Sequence, residues 1–499
     1  MSPHPTSPRL TALKIFFAGK YDIIIIGAGV AGINAAYRVQ KLLPDHTYVI
    51  FEARDTVGGT WDLMRYPGVR LDSDMYTFGF TWYPYHGDKL ILDGQSLRNY
   101  VDNAATEHGI HDHILFNHRV TTANWSSDDH AWTLAATAND EKHRFSARYV
   151  IFATGYFDHN EPLPAQIPGL ERFQGTVIHP QFWPEDLDHS AKRIAVIGSG
   201  ATAISLVPKL AETASTVAVI QRSPNYIVSV DLPGATSFLT RFLPTPVAHK
   251  LRRLWWLLVT FLGYYASRRW PQYARDYLLS RVRKELPAHV PLQPHFQPTY
   301  NVWDQRLLAC PNGDYFHSIR GGKVSIETAN IQDCTADGLL LDNGKAVGAN
   351  IIVTATGLKL QIGGGIRLDI DGQICKLSDR FMWNGIMLDG IPNAFFALGY
   401  LTSASWTMGV DVTAVAACRL IRHMKRTGSV AALPRLHEWS DLAVRSLWDL
   451  NSTYIAAGKG GIPKAGSVGP WRPRTNYLLD YFHAKYGSLT EGLEYVEAG

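Results

Sequence analysis

Two glycine-rich turns with the spacing needed to bind phosphate lie far apart in the sequence. The first turn reads GAGVAG from Gly27 to Gly32. In such a turn the first glycine permits the tight bend, and the second lets a pyrophosphate approach backbone N–H groups at a helix N-terminus. The third lets the helix pack closely on the preceding strand. Gly27, Gly29 and Gly32 occupy these three positions, so the turn predicts a dinucleotide-binding site.

The segments around the first turn have the pattern of a strand, a turn and a helix. Residues 21–26 form an apolar run, and an amphipathic stretch continues from the turn to Leu43. A second apolar strand, residues 47–52, ends in Glu52, whose carboxylate can accept the hydroxyls of an adenosine ribose. The two strands and the terminal acid together favour a dinucleotide site over an isolated glycine turn.

The second turn reads GSGATA from Gly198 to Ala203 and again follows an apolar strand. The next strand, residues 216–220, is followed by Gln221, Arg222 and Ser223 and carries no acid. A carboxylate at this place would repel a 2′-phosphate, whereas Arg222 can pair with one through two charge-assisted hydrogen bonds. We therefore expect NADPH rather than NADH, the alternative being that Arg222 is a solvated surface charge.

A third pattern, F-x-G-x-x-x-H-x-x-x-W-P, lies between the two turns from Phe173 to Pro184. We interpret the three patterns together as a flavin site, a nicotinamide site and an oxygenation reaction. His179, at the centre of the third pattern, has aromatic neighbours in the sequence. We expect it to support the linker between two domains rather than to transfer protons.

The composition is typical of a globular protein with two or three domains. The chain has 499 residues, of which 46% are hydrophobic, and a formal net charge of +4. This charge is too small for the size of the chain to indicate a nucleic-acid partner. The four cysteines form no C-x-x-C motif, which argues against a disulfide-reductase centre or a zinc cluster, and their scarcity favours the reducing cytoplasm.

The predicted fold class is α/β, with two Rossmann-like dinucleotide-binding domains and a helical insert. One apolar strand ends in a glycine turn at Gly155, and a similar strand ends at Gly357, so the chain is expected to leave the first domain and later return to it. The expected parts are a tail (1–19), a discontinuous FAD-binding domain (20–165 and 358–485) and an NADPH-binding domain (166–357) with its insert (230–300).

The insert contains a 13-residue apolar run, residues 254–266, which is shorter than the ~20 residues that cross a bilayer as a helix. A single acid, Asp276, lies among the basic residues around this run, which are Lys250, Arg252, Arg253, Arg268, Arg269 and Arg275. Two interpretations stay open. The run is either a helix packed on its own domain with solvated basic ends, or a peripheral contact of residues 250–270 with the anionic cytoplasmic face of a membrane.

Together these residues resemble the Baeyer–Villiger monooxygenases. In that family the pattern around His179 ends in tryptophan followed by proline or aspartate, where related flavin-containing monooxygenases have tyrosine. The resemblance extends from about residue 20 to Arg472 and is strongest to the ethionamide-activating branch of the family. The segments that carry it are GGTWDL (58–63), RYPG (65–68), DSDMYT (72–77), HPQ (179–181), WDQRL (303–307) and ASWT (404–407).

The resemblance implies an FAD-dependent, NADPH-consuming monooxygenase. Such an enzyme inserts one oxygen atom of dioxygen next to a ketone carbonyl to give an ester or lactone, and it also oxidises thioethers. By resemblance the catalytic residue is Arg306, and Asp72 is the carboxylate that positions it. A fixed positive charge stabilises the negative charge that develops on the reacting oxygen atoms, and arginine keeps its proton at neutral pH.

The resemblance also assigns residues to the two cofactors. The FAD contacts are Ala31, Glu52, Gly59, Thr60, Trp61, Asp62, Leu63, Asp72 and the backbone near Val120. The NADPH contacts are Arg70, Leu71, Asp72, Gly198, Ser199, Gly200, Ala201, Thr202, Ala203, Arg222 and Ser223. Many relatives place a lysine directly before the catalytic arginine, where it helps to hold the 2′-phosphate. Gln305 stands there in this chain, so the expected preference for NADPH depends on Arg222.

Two other functions stay open from the sequence. A flavin-containing monooxygenase of sulfur and nitrogen compounds with little ketone activity would oxidise thioethers much faster than it forms esters. A flavin-bearing redox sensor or a membrane-bound interaction protein would bind FAD without consuming NADPH.

Overall fold

The computed structural model describes residues 15–230, 242–402, 404–436, 442–448 and 450–497. Residues 1–14 of the expected tail and residues 231–241 of the expected insert lie outside the described residues. The first strand begins at Ile15, inside the segment that the sequence predicts as a tail, because its backbone already pairs there with residues of a neighbouring strand.

Strands and helices alternate along the two glycine-turn units, and further helices follow in the insert. The strands are β1 (Ile15–Ile26), β2 (Tyr48–Phe51), β3 (Ile114–Leu115), β4 (Arg119–Ser126), β5 (Ala131–Ala138), β6 (Glu141–Phe152), β7 (Thr176–Ile178), β8 (Arg193–Ile197), β9 (Thr216–Gln221), β10 (Ile227–Val230), β11 (Leu308–Pro311), β12 (Val324–Thr328), β13 (Ile331–Thr335), β14 (Gly338–Leu341), β15 (Ala346–Gly348), β16 (Ile351–Thr354), β17 (Arg367–Ile370), β18 (Gln373–Cys375), β19 (Met382–Trp383), β20 (Met387–Leu388), β21 (Ala394–Phe396), β22 (Ser429–Pro434) and β23 (Leu493–Glu497). The helices are α1 (Val30–Leu42), α2 (Thr60–Leu63), α3 (Met75–Phe78), α4 (Gly94–Glu107), α5 (Ala201–Thr213), α6 (Thr245–Arg269), α7 (Pro271–Glu285), α8 (Leu292–His295), α9 (Asp314–Arg320), α10 (Trp406–Thr427), α11 (Thr453–Gly458) and α12 (Tyr477–Tyr486).

The larger sheet is built around β1. Its strand order is β18-β17-β4-β5-β6-β1-β2-β3, with β21 paired to β6. In β1, Ile23 and Ile25 are buried in one hydrophobic core and Ile24 and Ile26 in the other, because successive side chains of a strand point to opposite faces. The four isoleucines thus hold β1 between two apolar layers, and the first glycine turn follows at its carboxyl end.

The second sheet has the order β12-β9-β8-β16-β7, and its neighbouring strands are parallel. The second glycine turn follows β8, near the middle of this sheet. Strands β17, β18 and β21, which come later in the chain, belong to the larger sheet. Helices α6, α7 and α8 lie in the expected insert, between β10 and β11. The predicted α/β class with two Rossmann-like units is therefore confirmed.

Two antiparallel segments carry the chain between the sheets. Phe157 of one segment forms a β-bridge with Leu360 of the other segment. The N–H of Asp158 also donates to the carbonyl of Lys359 at 2.8 Å. The Lys359 ammonium lies 2.9 Å from the Asp158 carboxylate and 2.6 Å from that of Glu161. These contacts connect the ends of β6 and β16, so the position of one sheet depends on that of the other.

Replacing Gly32 with alanine tests the close packing of α1 on β1. An added Cβ would lie 1.8 Å from the Gly27 carbonyl oxygen, so α1 would have to move away from the strand. We expect the free energy of unfolding to fall by about 2 kcal/mol or more, visible as a lower thermal unfolding midpoint.

The control is Gly263→Ala in α6, where no atom outside the helix's own backbone lies within 4 Å of an added Cβ. This control should raise the midpoint slightly, since alanine is favoured over glycine in a helix by about 1 kcal/mol. Equal midpoints for the two variants would contradict the packing.

Candidate active site

Both glycine turns open into one cavity of about 1050 Å³. The turns follow the carboxyl ends of β1 and β8, which is where open parallel sheets bind their ligands. The same cavity is lined by Asp72 and Arg306. The fold therefore brings the two predicted phosphate sites and the predicted catalytic pair into one space.

The first turn fits a pyrophosphate. Gly29 precedes α1 and no side chain caps the helix there, so the first N–H groups of α1 are available to an anion. A Cβ on Gly59 would lie 3.1 Å from the Gly29 Cα, so side chains at these two positions would fill the cradle. Ala31, Thr60, Trp61 and Val120 also line the cavity.

Glu52 lies at the end of β2 on the wall of the cavity. Its Oε2 accepts a hydrogen bond from the Ala28 N–H at 2.7 Å, and its Oε1 accepts one from the Arg54 N–H at 2.9 Å. Burial raises the pKa of Glu52, and the two N–H donors oppose this shift. The carboxylate is thus held against the first glycine turn, at the position expected for a ribose contact.

Asp62 lies behind the cavity wall rather than on it. Its carboxylate is buried and pairs with Arg54 at 2.8 Å, with Arg65 at 3.2 Å and with Arg98 at 3.2 Å. The side chain therefore holds three cations around the 58–63 segment. Leu63 does not line the cavity either, and Gly32 and Ala203 lie in the helices behind their turns, whereas Leu71 and Ser223 are on the wall.

The second turn also precedes a helix whose N-terminus has no capping side chain, and it leaves more open space around its second glycine than the first turn does. Gly200 precedes α5 without a capping side chain, and a Cβ added to it would meet no atom within 4 Å. Ser199 donates its hydroxyl proton to the Ser223 carbonyl at 2.8 Å, and Asn225 donates its amide proton to the Ser199 carbonyl at 2.8 Å. The turn is thereby held at the end of β9, and Ser199, Ala201 and Thr202 face the cavity.

Arg222 lies at the edge of the cavity beside this turn. Its Nη2 donates to the Thr453 hydroxyl at 2.8 Å, and within the described ranges it forms no ion pair. An exposed guanidinium without a carboxylate partner fits a 2′-phosphate. Gln305 also lines the cavity but carries no charge. Arg70, in contrast, is engaged by Asp314, with Nη2 and Oδ1 3.2 Å apart.

Arg306 and Asp72 form a two-pronged ion pair inside the cavity. Nε of Arg306 lies 2.5 Å from Oδ2 of Asp72, Nη2 lies 2.8 Å from Oδ1, and Nη1 donates to the Leu401 carbonyl at 3.0 Å. Burial opposes the charge of Arg306, but the neighbouring carboxylate outweighs it and raises the pKa of Arg306. The structure therefore holds a permanent cation in one orientation.

Aromatic side chains surround this cation. Tyr156 stacks on Trp406 with ring centroids 4.4 Å apart, and Tyr454 of α11 lines the same part of the cavity. Burial raises the pKa values of Tyr156 and Tyr454, so both phenols are neutral at pH 7. Aromatic ring surface thus borders Arg306, and among these neighbours the only anion is Asp72.

His159 and the α11 residues are on the cavity wall although the sequence reasoning did not select them. Nε2 of His159 lies 3.4 Å from the Thr60 hydroxyl. Burial, with a smaller contribution from the charge of Arg54, lowers the pKa of His159 to about 4, so the ring is neutral at pH 7. No motif marks these positions, and only the folded chain brings them to the site.

His179 connects the third sequence pattern to the two antiparallel segments that carry the chain between the sheets. Its Nδ1 accepts the Gln181 N–H at 3.2 Å, and its Nε2 donates to the Gly357 carbonyl at 3.0 Å. The side-chain amide of Gln181 donates to the Asp158 carbonyl at 2.6 Å. These bonds fit the linker role expected from the sequence.

Comparison with known proteins shows similarity over nearly the whole chain. The family model for pyridine nucleotide-disulphide oxidoreductases matches residues 21–241. The chain is 41% identical over 479 residues to the FAD-containing monooxygenase EthA of Mycobacterium tuberculosis, covering 95% of this chain and 98% of that protein. It is 40% identical over 475 residues to EthA of Mycolicibacterium smegmatis, covering 94% and 96%.

Solved structures share the fold at lower identity. An oxidised steroid monooxygenase bound to NADP superposes with a TM-score of 0.77 at 21% identity, covering 96% of this chain and all of that one. Cyclohexanone monooxygenase from Rhodococcus sp. Phi1 bound to NADP+ has a TM-score of 0.73 at 20% identity, with 96% and 100% coverage. The four cysteines of this chain are buried free thiols.

Replacing Arg222 with alanine should raise KM for NADPH and leave KM for NADH nearly unchanged. A lost charge-assisted pair costs about 1.5 to 3 kcal/mol, which is about one to two decades in affinity. The measurement is the initial rate of oxidation of each nucleotide over a range of concentrations. Thr453→Ala is the matched control, since it removes the hydroxyl bound to Arg222 and keeps the charge, and it should leave KM for NADPH within about twofold. An equal loss with both nucleotides would contradict the 2′-phosphate assignment.

Proposed function

This chain belongs to the FAD-containing monooxygenases, and on that premise we propose that it is a Baeyer–Villiger monooxygenase. In the proposal it uses NADPH and dioxygen to insert one oxygen atom next to a ketone carbonyl, giving an ester or lactone, and it also oxidises thioethers. The observation that carries the proposal is the Arg306–Asp72 pair in a cavity shared by both glycine turns.

The residues on the cavity wall fit both cofactors. The proposed FAD-binding domain comprises residues 20–165 and 358–485, and its first turn, Glu52 and the 59–61 segment would hold FAD. The proposed NADPH-binding domain comprises residues 166–357, and its second turn and Arg222 would hold NADPH. When bound, FAD supplies hydride acceptance from NADPH and activation of dioxygen.

Arg306 would stabilise the anion that forms when oxygen adds to the ketone carbonyl. An arginine has five N–H donors, and its partners in the described part of the chain account for three of them, so two remain for the reacting oxygen atoms. Asp72 holds the guanidinium plane from the opposite edge. A preorganised cation of this kind lowers the barrier without reorganisation during the reaction.

The aromatic wall would strengthen this effect by excluding water. Tyr156, Trp406 and Tyr454 bring apolar ring surface to the compartment of Arg306, and electrostatic attraction grows as the local dielectric falls. Oxygen transfer to a thioether sulfur places no oxyanion on a carbonyl carbon. The two reactions should therefore depend on Arg306 to different degrees.

The proposed location is the cytoplasm, with residues 250–270 in peripheral contact with the cytoplasmic face of the membrane. Free buried thiols suit a reducing compartment, and the segment exposes large apolar side chains such as Trp255 and Leu262. Within the ranges described, no helix is long and apolar enough to span a bilayer.

Arg306→Ala is expected to lower ester formation by about 100-fold or more, the usual loss when a preorganised oxyanion partner is removed. Sulfoxide formation from a thioether should fall less. Product formation is measured by chromatography together with NADPH consumption and release of hydrogen peroxide. Flavin reduction by NADPH is measured separately under anaerobic conditions, since the same guanidinium can help to seat the nicotinamide.

The flavin absorption spectrum of Arg306→Ala controls for FAD binding, which should persist because the residue lies outside both glycine turns. Ester formation near the parent rate would contradict both the catalytic assignment and the Baeyer–Villiger proposal. A parent enzyme that makes sulfoxide but no ester would be a sulfur or nitrogen monooxygenase instead. A parent protein that binds FAD and leaves NADPH unconsumed would be a redox sensor.

A further inference from the structure

One side of α6 exposes a continuous row of apolar side chains. They recur every three or four residues and so lie on one face of the helix. Each is between 39% and 61% exposed: Val247, Leu251, Leu254, Trp255, Leu258, Val259, Leu262 and Tyr265. The apolar face of a surface helix normally packs on the core, but here it points to solvent.

The opposite side of α6 is fastened to the protein by arginines. Nη1 of Arg253 donates to the Tyr76 carbonyl at 2.7 Å and to the Gly79 carbonyl at 2.9 Å. Arg252 pairs with Asp88 at 3.3 Å, and Arg268 pairs with Asp304 at 2.6 Å. These three arginines therefore bind the rest of the protein, and they hold α6 with its apolar face outward.

A second helix extends the apolar surface. Asn476, the residue before α12, donates its side-chain amide to the Tyr265 hydroxyl at 3.0 Å, so α12 begins beside the end of the α6 row. On α12, Leu478, Leu479 and Phe482 are each 60% exposed and Tyr486 is 68% exposed. Apolar surface concentrated in this way marks a site of interaction.

The charges around this surface match an anionic lipid headgroup layer. Residues 242–285 contain nine basic and two acidic side chains. Lys250, Arg269, Arg283 and Lys284 are exposed and form no ion pair among the described residues. A helix about 37 Å long with an apolar face and basic flanks is suited to lie in the plane of a bilayer interface.

The same helix covers the loop that leads to Arg306. The rings of Tyr264 and Trp303 meet edge to face with centroids 5.7 Å apart, and Arg268 holds Asp304, two residues before Arg306. Near its other end α6 contacts α3 through Arg253, and α3 carries Phe78 of the cavity wall. If α6 lay on a lipid bilayer, this single helix would separate the active site from the bilayer.

We propose that the surface formed by α6 and α12 docks on an anionic phospholipid bilayer and that the enzyme oxygenates ketones dissolved in that bilayer. The inference rests on the proposed function for its chemistry and names the substrate class, lipophilic ketones with long alkyl chains. Docking supplies these ketones at the concentration they reach in lipid rather than at their low concentration in water.

The first test is sedimentation of the full-length, FAD-loaded protein with vesicles. Vesicles of phosphatidylcholine and phosphatidylglycerol in equal parts should bind it more strongly than phosphatidylcholine alone. Salt should weaken this difference, because the Debye length falls from about 10 Å at 0.1 M to about 3 Å at 1 M. Leu262→Glu should lower the partition coefficient by about tenfold. The matched control is Ile374→Glu on β18, since Leu262 and Ile374 are 61% and 62% exposed, and it should bind like the parent.

The second test compares a long-chain ketone carried in the same vesicles with a short, water-soluble ketone. Leu262→Glu should lower kcat/KM for the vesicle-borne ketone by about tenfold and leave the soluble ketone unchanged. Vesicle binding without oxidation of either ketone would support docking and overturn the proposed chemistry. Ester formed from the soluble ketone without any vesicle binding would overturn the docking proposal alone. Sedimentation velocity measures whether the parent protein is a dimer. A parent dimer that Leu262→Glu dissociates would also overturn the docking proposal, since a second copy would then cover this surface.

Discussion

The ion pair between Arg306 and Asp72 connects the two dinucleotide-binding units at the point where their cavity is shared. Each residue comes from a different part of the chain, and the pair forms only when both units are in place. The pair is partly buried, with 27% of the Arg306 side chain and 30% of the Asp72 side chain exposed. It adds little to stability by itself, but removal of one partner leaves the other charge without compensation. The orientation of the Arg306 cation therefore depends on how the two units are positioned. The two segments that connect the sheets, bridged by Phe157 and Leu360, contribute to that positioning.

The insert links the loop that carries Arg306 to the outer surface of the protein. Arg268 of α6 holds Asp304 near Arg306, and Arg253 holds two carbonyls of the segment that contains α3. The inner side of the helix is held by these polar anchors together with Trp256, which packs against the hydrophobic core, while the opposite apolar face stays exposed. The same helix thus supports the loop of Arg306 on one side and carries the proposed lipid-binding surface on the other.

Much of the fold was predictable from local sequence patterns. The isoleucine run of β1 and the turn from Gly27 to Gly32 predict a strand, a turn and a helix, and the second turn repeats the pattern. Their geometry follows from glycine stereochemistry and from helix N-termini, which act over a few residues. The family assignment was likewise predictable, since several short segments occur together in a single order, and the comparisons confirm it.

Only the tertiary structure decided which side chains face the cavity and which face of the insert is buried. Asp62 lies in a matching motif but turns inward to three arginines, whereas His159 reaches the wall without any motif. The bond between Arg222 and Thr453 joins residues 231 positions apart. The apolar spacing of α6 is the same for a buried and an exposed helix, because periodicity defines a face but not its partner. By itself the sequence determined the local units and the family, and long-range packing determined the site and the exposed surface.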